Sequence, residues 1–479
     1  MKEACFMPRR TLSATIESKT KQIYSLLREQ IFQGVYAAGV KLPSTRDLAN
    51  EFGVSRALIV DVFEQLIAEG YLEGRQGSGS YVVDLGGSKR QFPSQLQEID
   101  SSGEATVAEP PARFQGIDFR PSFPALEHIP FKKWKETAIA AYANTHSGEF
   151  GCYDDDPAGH WQLRTNICRL LLHTKGIRCL PSQVIITAGA TQAIAMLSRL
   201  LLKPGDSVVI EDPSATFIQH IFASTGADII PVPVDEHGLR VDDMPTHRHP
   251  KCVFVTPSHQ FPLGSILSIG RRIQLIDYAR QTGCYIIEDD YDSEFRYTGM
   301  PVHALRELDS ERIVYVGTFS KNLFPALRIG YMVVPHELLT PLLRLKQLTD
   351  MHCPILPQIS LARFITERHL EHHIARMKRI YSKRRKCLIA GLSNIFGSRV
   401  KISGDAAGLH LVAEMAGSLY DSQVVAQLEE LHIKVYPAER YTIAKGRYED
   451  RLIMGFGNVE EINILEGIKA IASVLRHMS

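Results

Sequence analysis

The sequence predicts a multi-domain protein in which a small α+β unit precedes a large α/β unit. Residues 16–84 carry short capped helical patterns and then two short strand patterns around a glycine-rich tip. Residues 85–115 are polar and aperiodic, with Gly86-Gly87-Ser88, Ser101-Ser102-Gly103 and Pro110-Pro111, and read as a flexible linker. Residues 116–479 form the large unit, where short apolar runs alternate with helical patterns. The runs are Val184–Thr187, Ser207–Ile210, Ile229–Val234, Cys252–Val255, Cys284–Ile287 and Ile313–Val316. Buried parallel strands read this way, because both faces are covered and the polar alternation disappears. From about residue 340 to 479 the pattern is mainly helical with a late strand, Arg451–Gly455, and a terminal helix, which reads as a smaller C-terminal subdomain.

Bulk properties narrow the function classes. A chain of 479 residues is too long for one ordinary domain, and 44% apolar with 22% charged residues is ordinary globular composition. The net charge of +1 gives no bulk attraction to polyanions, and residues 1–84 balance ten Lys/Arg against ten Asp/Glu. Any nucleic-acid surface must therefore be local. The eight cysteines are scattered without a CxxC pair, which predicts reduced thiols in a cytoplasmic protein and no metal site. No apolar run approaches the roughly 18 residues of a membrane span, so no membrane partner is expected.

In the first unit, Ser44 stands before a helix bearing Asp47, a favourable N-cap. Phe52-Gly53-Val54 supplies a tight turn. Ser55 caps a second helix whose Ile59, Val62, Phe63, Leu66 and Ile67 are expected on its buried side. Ser44, Thr45 and Arg46 on one helix start, and Ser55 and Arg56 on the other, are then free to meet a duplex. A recognition helix presents its N-terminal residues to the major groove. Tyr71–Gly74 and Ser80–Val83 read as strands, with Arg75, Gly77, Ser78 and Gly79 at the tip; glycine amides there can approach phosphates closely. This is the pattern of a winged helix-turn-helix on double-stranded DNA. Across residues 20–84 it resembles the GntR-type regulators, through Pro43-Ser44-Thr45-Arg46-Asp47-Leu48-Ala49 and Gly77-Ser78-Gly79. Many such relatives carry a polar pair after Ser-Arg where this chain has Ala57 and Leu58, which leaves base-reading specificity open.

The large unit offers what pyridoxal 5'-phosphate requires of a protein: an amine, a carboxylate for the ring nitrogen, a donor for the phenolic oxygen and a phosphate cradle. Lys321 follows a strand and lies between Ser320 and Arg328, with Thr318 just upstream. Gly189-Ala190-Thr191 ends a strand and opens a helix, so its amides face an anion. Asp289 and Tyr291 end another strand. Singly each is commonplace; together at strand ends of one α/β unit they are specific. Here the chain resembles the fold-type I aminotransferases, and more closely the MocR/GabR-type regulators that join such a domain to a GntR-type reader. The resemblance rests on Thr256-Pro257-Ser258-His259-Gln260-Phe261-Pro262, Glu288-Asp289-Asp290-Tyr291-Asp292-Ser293-Glu294-Phe295 and Gly317-Thr318-Phe319-Ser320-Lys321.

The resemblance implies that Lys321 forms the Schiff base, Asp289 pairs with the ring nitrogen and Tyr291 meets the phenolic oxygen. It implies that Gly189, Ala190, Thr191, Thr318, Ser320 and Arg328 hold the phosphate and that His259 and Gln260 lie beside the ring. Tyr153 resembles a tyrosine that reaches a neighbouring subunit's phosphate, which implies a homodimer. The expected function is DNA-binding transcription regulation, with an amino compound or the cofactor itself sensed through the Lys321 aldimine. The alternative is an active aminotransferase with an accessory N-terminal module. Two departures bear on the effector. Glu211-Asp212-Pro213 is followed by Ser214-Ala215-Thr216-Phe217 without an arginine. The carboxylate-clamping arginine expected near the C-terminus has no clean counterpart, and Arg451 reads as a strand-edge charge.

Overall fold

The computed structural model describes residues 19–84, 114–150 and 156–478, with the chain forming two compact units, 1–112 and 113–479. Residues 85–113 of the expected linker, and Tyr153, lie outside the described residues.

In the first unit, α1 (Lys19–Phe32), α2 (Thr45–Phe52) and α3 (Arg56–Ala68) pack around Ile23, Leu27, Leu48, Ile59, Val62 and Leu66, and the hairpin of β1 (Leu72–Arg75) and β2 (Gly79–Val82) closes the core with Leu72 and Val82. The two serine caps form as expected: Ser44 accepts from the Asp47 amide and Ser55 from the Leu58 amide. Gly53, at φ 64°, makes the left-handed exit from α2 that a Cβ would disfavour. Residues 39–42 run beside β2 through an isolated antiparallel bridge at Lys41–Tyr81, where Gly39 donates to the Val82 carbonyl and Leu42 to the Ser80 carbonyl. One expectation is corrected. Ile67 is exposed, because it falls at the edge of the apolar stripe and the strand passing over it there carries Gly74, which has no side chain to cover it.

The second unit begins with β3 (Ile117–Asp118), α4 (Phe131–Ala143) and α5 (Trp161–Lys175). It continues through β4 (Val184–Thr187), α6 (Ala190–Leu201), β5 (Ser207–Asp212), α7 (Thr216–Ala223), β6 (Asp228–Asp235), β7 (Gly238–Leu239), β8 (Cys252–Val255), α8 (Ile269–Thr282), β9 (Tyr285–Asp290), β10 (Ile313–Thr318) and β11 (Gly330–Val333). These strands form one sheet in the order β4-β11-β10-β9-β8-β5-β6-β7. The six apolar runs read from the sequence are its parallel strands; β11 runs antiparallel to both β10 and β4. Its strands are buried on both faces, by α6, α7 and α9 (His336–Asp350) on one side and α5, α8 and α10 (Ile355–Thr366) on the others. The ends of β4, β10, β9, β8 and β5 therefore line up along one edge.

A second lobe starts at α11 (His369–Phe396). It holds β12 (Val400–Ser403), β13 (His410–Met415), α12 (Ser422–Glu430), β14 (Ile433–Lys434), β15 (Tyr436–Pro437), β16 (Arg451–Gly455) and α13 (Glu461–Met478). Its four-stranded sheet runs β12-β13-β16-β15, and β3 pairs in parallel with β14. The small lobe thus includes the segment that opens the second unit. Phe119 is fully buried in its core against Gly467, and the Phe119 carbonyl accepts from the Gly455 amide. No described helix is long and apolar enough to cross a membrane. The described cysteines are free, and the sulfurs of Cys168 and Cys179 stand 3.4 Å apart.

Removing a buried aromatic ring from a closed core typically costs about 3–5 kcal/mol. Phe119→Ala should therefore lower the melting temperature of the intact protein sharply, whereas Leu126→Ala, at an exposed position, should leave it within a degree or two. Equal melting of both variants would show that the segment is not anchored in the small lobe.

Candidate functional site

The sheet edge assembles the residues singled out in the sequence. Register places Asp289 beside Val316 and Gly317 beside Asp290, so the acidic end of β9 runs alongside the strand that delivers Lys321. Each acid on this edge has a different partner. Glu288 accepts from the Leu305 and Arg306 amides at 2.7 and 2.9 Å, yet burial still pushes its pKa up to about 7. Asp290 is matched by Lys175 Nζ at 2.6 Å and accepts from the Tyr315 hydroxyl at 2.8 Å; these contacts outweigh burial and hold it below the usual carboxylate range. Asp292 accepts from the Leu409 amide and pairs with His259. Glu211 accepts from the Thr256 amide and hydroxyl, and burial pushes it to about 7.

Asp289 differs: its Oδ1 is buried with no hydrogen-bond partner. Burial first, and then the neighbouring Asp290 charge, push its pKa up to about 7. A buried carboxylate oxygen without a donor is a costly feature that a cationic N–H would relieve. Lys321 is the basic counterpart. Burial lowers its pKa, the Asp292 and Asp289 carboxylates oppose that shift, and Arg120 adds to it.

Two histidine rings in contact flank this centre, their centroids 4.8 Å apart and their planes inclined by 44°. His259 faces an acceptor at each nitrogen, Asp292 Oδ1 at 2.9 Å and the Gly404 carbonyl at 3.1 Å, so both nitrogens must carry hydrogens. Burial opposes that charge, but Asp292 outweighs it and the pKa is raised. His410 is the neutral partner: burial and the charge of His259 push it down to about 3. It donates from Nε2 to the Pro262 carbonyl and accepts at Nδ1 from the Ser122 hydroxyl. The Tyr291 oxygen lies 3.1 Å from His259 Nδ1, which is already a donor, and the hydroxyl also hydrogen-bonds with Ser122. His259, Asp292 and His410 place possible ligand atoms within 4.8 Å of one another, but these hydrogen bonds already occupy them.

The segments expected to hold an anion meet where two glycines allow three stretches of backbone to approach closely. Gly330 pairs with Thr187 on one side and Thr318 on the other. A Cβ on it would lie 2.6 Å from the Gly189 carbonyl carbon and 2.8 Å from the Ala190 nitrogen. A Cβ on Gly189, at φ 87°, would lie 2.8 Å from Arg328 Nη2. The Arg328 guanidinium therefore rests on the start of α6 and donates to the Ala188 carbonyl at 2.6 Å. The Ala190 and Thr191 amides, at a helix start, have no acceptor within the helix. The Thr318 hydroxyl donates to Ser320 Oγ at 3.1 Å and accepts from the Ser320 amide. Gln260 is engaged with its own loop. Its amide hydrogens go to the Pro213 and Phe261 carbonyls and its oxygen accepts from the Leu263 amide, so it fixes the loop that carries His259.

Several pocket residues were not singled out from the sequence: Lys175, Asp292, His410, Ser122 and Arg120. Asp292 lay inside a quoted motif, and its spacing from Tyr291 was the available signal. The others come from distant segments and carried none. Arg451, as expected, stays at the strand edge, pairing with Glu414 at 3.1 Å and resting over the Tyr448 ring.

On the first unit, Arg46, Ser55 and Arg56 are exposed at the helix starts. Arg56 donates from Nε to Thr45 Oγ1 at 3.3 Å, which ties the two helix starts together. Gly77, Ser78 and Gly79 are exposed at the hairpin tip. Arg75 is exposed but committed: it pairs with Glu73 and lies over the Tyr81 ring at 4.4 Å.

Comparison with known proteins covers both units. Residues 19–82 match the bacterial regulatory proteins of the gntR family, and residues 121–465 match the aminotransferases of class I and II. The chain is 33% identical, over 95% of its length and 93% of the relative's, to the probable rhizopine catabolism regulatory protein MocR of Rhizobium meliloti. It is 30% identical, over 92% of each chain, to the pyridoxine biosynthesis transcriptional regulator PdxR of Corynebacterium glutamicum. Among solved structures, kynurenine aminotransferase of Pyrococcus horikoshii superposes with a TM-score of 0.70 at 24% identity, over 76% of this chain and 91% of that one. An archaeal alanine:glyoxylate aminotransferase does so with a TM-score of 0.71 at 25% identity, over 76% and 92%.

Asp289 makes a signed prediction. Its folded pKa lies above its ordinary value, so between about pH 4 and pH 7 the folded ligand-free protein keeps a proton that the unfolded chain has released. Its contribution to stability therefore falls as pH rises through that window. Asp289→Asn should stabilise the ligand-free protein above pH 7 by at most about 4 kcal/mol and by nothing below pH 4. Melting temperature against pH checks this; a constant difference at all pH values would contradict it.

Proposed function

The chain belongs to the MocR-type branch of the GntR regulators, in which a winged helix-turn-helix is joined to an aminotransferase-like domain, and on that premise we propose how it regulates. We infer that it binds operator DNA through the first unit and holds pyridoxal 5'-phosphate in the second, as a cytoplasmic homodimer. One observation carries the regulator reading above its alternative: the relatives matched along both units are named as transcription regulators.

The pocket fits the cofactor residue by residue. Asp289, with its unpartnered buried oxygen, would hold the ring nitrogen, and Tyr291, in exchange for its Ser122 contact, the phenolic oxygen. The amides of Ala190 and Thr191 beside Gly189, the hydroxyls of Thr318 and Ser320, and Arg328 would hold the phosphate. Tyr153 would add a contact from the second subunit. Bound there, the group supplies an aldehyde carbon that condenses with primary amines, which makes the pocket a chemical detector for amino compounds. Lys321 supplies the amine that holds it. Burial favours the neutral form of Lys321, the form that can bond to carbon or accept a proton. An amino effector that takes its place, or the cofactor as its own signal, would bias the closure of the small lobe on the large one. That closure would change how the DNA-binding heads are presented.

The recognition surface is Ser44, Thr45 and Arg46 on α2, Ser55 and Arg56 at the start of α3, and the hairpin tip Gly77-Ser78-Gly79. Arg75 acts after release from Glu73 or through its charge. Arg56→Ala should weaken operator binding by about 1–3 kcal/mol in a gel-shift titration and leave the visible spectrum unchanged. Retention of full affinity would move the docking surface elsewhere.

Lys321→Ala should remove the visible absorption band and the response to amines while leaving DNA binding in place. A full amine response in that variant would sink the sensing mechanism. The alternative, an active aminotransferase, is favoured by the completeness of the donor set around Lys321. Steady conversion of the band to a pyridoxamine spectrum by an amino acid, with release of the oxo acid and no sequence-selective DNA binding, would establish it instead.

A further inference from the structure

We propose that Arg120 recognises an anionic group on the effector, so that the compounds sensed are amino acids or other amines bearing a carboxylate, not plain amines. This rests on the reading of the Lys321 pocket given above and names the chemical class of its ligand.

Four neighbouring cations, His259, Lys175, Arg328 and Arg272, are committed. His259 gives both nitrogens to Asp292 and Gly404. Lys175 is bound to Asp290, and Arg328 rests on the start of α6. Arg272 donates to the Leu267, His303 and Pro257 carbonyls. Strand β16 offers no clamp, since its Leu452, Ile453 and Met454 are buried and apolar and Arg451 pairs with Glu414.

Arg120 is different in three respects. It is held but not saturated: Nη2 lies 3.2 Å from Asp118, Nε donates to the Tyr436 hydroxyl at 3.3 Å, and that hydroxyl donates to Asp118 at 2.9 Å. A guanidinium has five N–H groups, so the Nη1–Nη2 edge remains open to bidentate pairing with a carboxylate. Its side chain is 46% exposed, so a ligand can reach it. It also stands at the pocket. Two residues on, Ser122 bonds to His410, the ring in contact with His259. The charge of Arg120 is felt at Lys321 and at Tyr441, whose ring packs on Phe261, itself packed on Tyr291.

Arg120 is carried by the small lobe and Lys321 by the large one. A ligand with an amine at Lys321 and a carboxylate at Arg120 would tie the lobes together, which a plain amine cannot do.

The test uses the full-length protein loaded with pyridoxal phosphate. The probes are the common α-amino acids, β-alanine and 4-aminobutyrate, each beside the amine that lacks its carboxylate. Calorimetric binding and intrinsic fluorescence are read together with the visible band. In the wild type at least one carboxylate-bearing compound should bind roughly tenfold or more tightly than its plain amine. Arg120→Gln should bring that ratio to near one while the band still forms and the plain amine still binds, and Arg120→Lys should recover part of it. A wild type with an intact band and no preference for any carboxylate overturns the proposal, as does an undiminished preference in Arg120→Gln. A wild type without a band overturns the cofactor reading itself.

Discussion

An ionised carboxylate cannot rest inside an apolar sheet without something to meet its charge, and the working edge of this protein is organised around that constraint. The end of β9 and the turn after it bring Glu288, Asp289, Asp290 and Asp292 into the interior within five positions. Backbone amides meet the first, Lys175 and Tyr315 the third, and His259 with the Leu409 amide the fourth. Of these four acids, Asp289 alone keeps a buried oxygen without a donor, which a cationic N–H would meet.

The matching groups are drawn from across the chain. Lys175 ends α5, Gly404 follows β12, and Leu409 precedes β13, so the pocket depends on both lobes being in place. The expected anion cradle has the same character. Gly189 and Gly330 matter for the side chains they lack, since either Cβ would push apart the start of α6, strand β11 and the Arg328 guanidinium. Charge pairing and close backbone approach together set the pocket's shape before any ligand arrives.

Much of this was legible in the sequence, because its determinants are local. Serine caps, a turn glycine and six apolar runs each declare themselves within a few residues, and the motifs around Asp289 and Lys321 are contiguous. What was not legible depends on contacts distant in sequence. Ser122 meets His410 across 288 positions, and Arg120 meets Tyr436 across 316; neither spacing leaves a pattern in a single chain. Strand β11 was missed because Gly330–Val333 follows directly on the lysine segment and pairs antiparallel in an otherwise parallel neighbourhood. Ile67 looked buried on helical spacing alone, and its exposure follows from the bare Gly74 opposite. Arg75, expected at the phosphate-facing tip, pairs with the acid two residues earlier on the same strand face.

The segment that enters the second unit does two jobs in very few residues. Ile117–Asp118 is stitched to β14, Phe119 is sunk in the small lobe, and Arg120 and Ser122 then reach the pocket. The first described residues of the second unit are therefore anchored beside the Lys321 pocket, not at some remote face of the domain. A displacement of Arg120 or Ser122 would pull on the very strand that opens the unit.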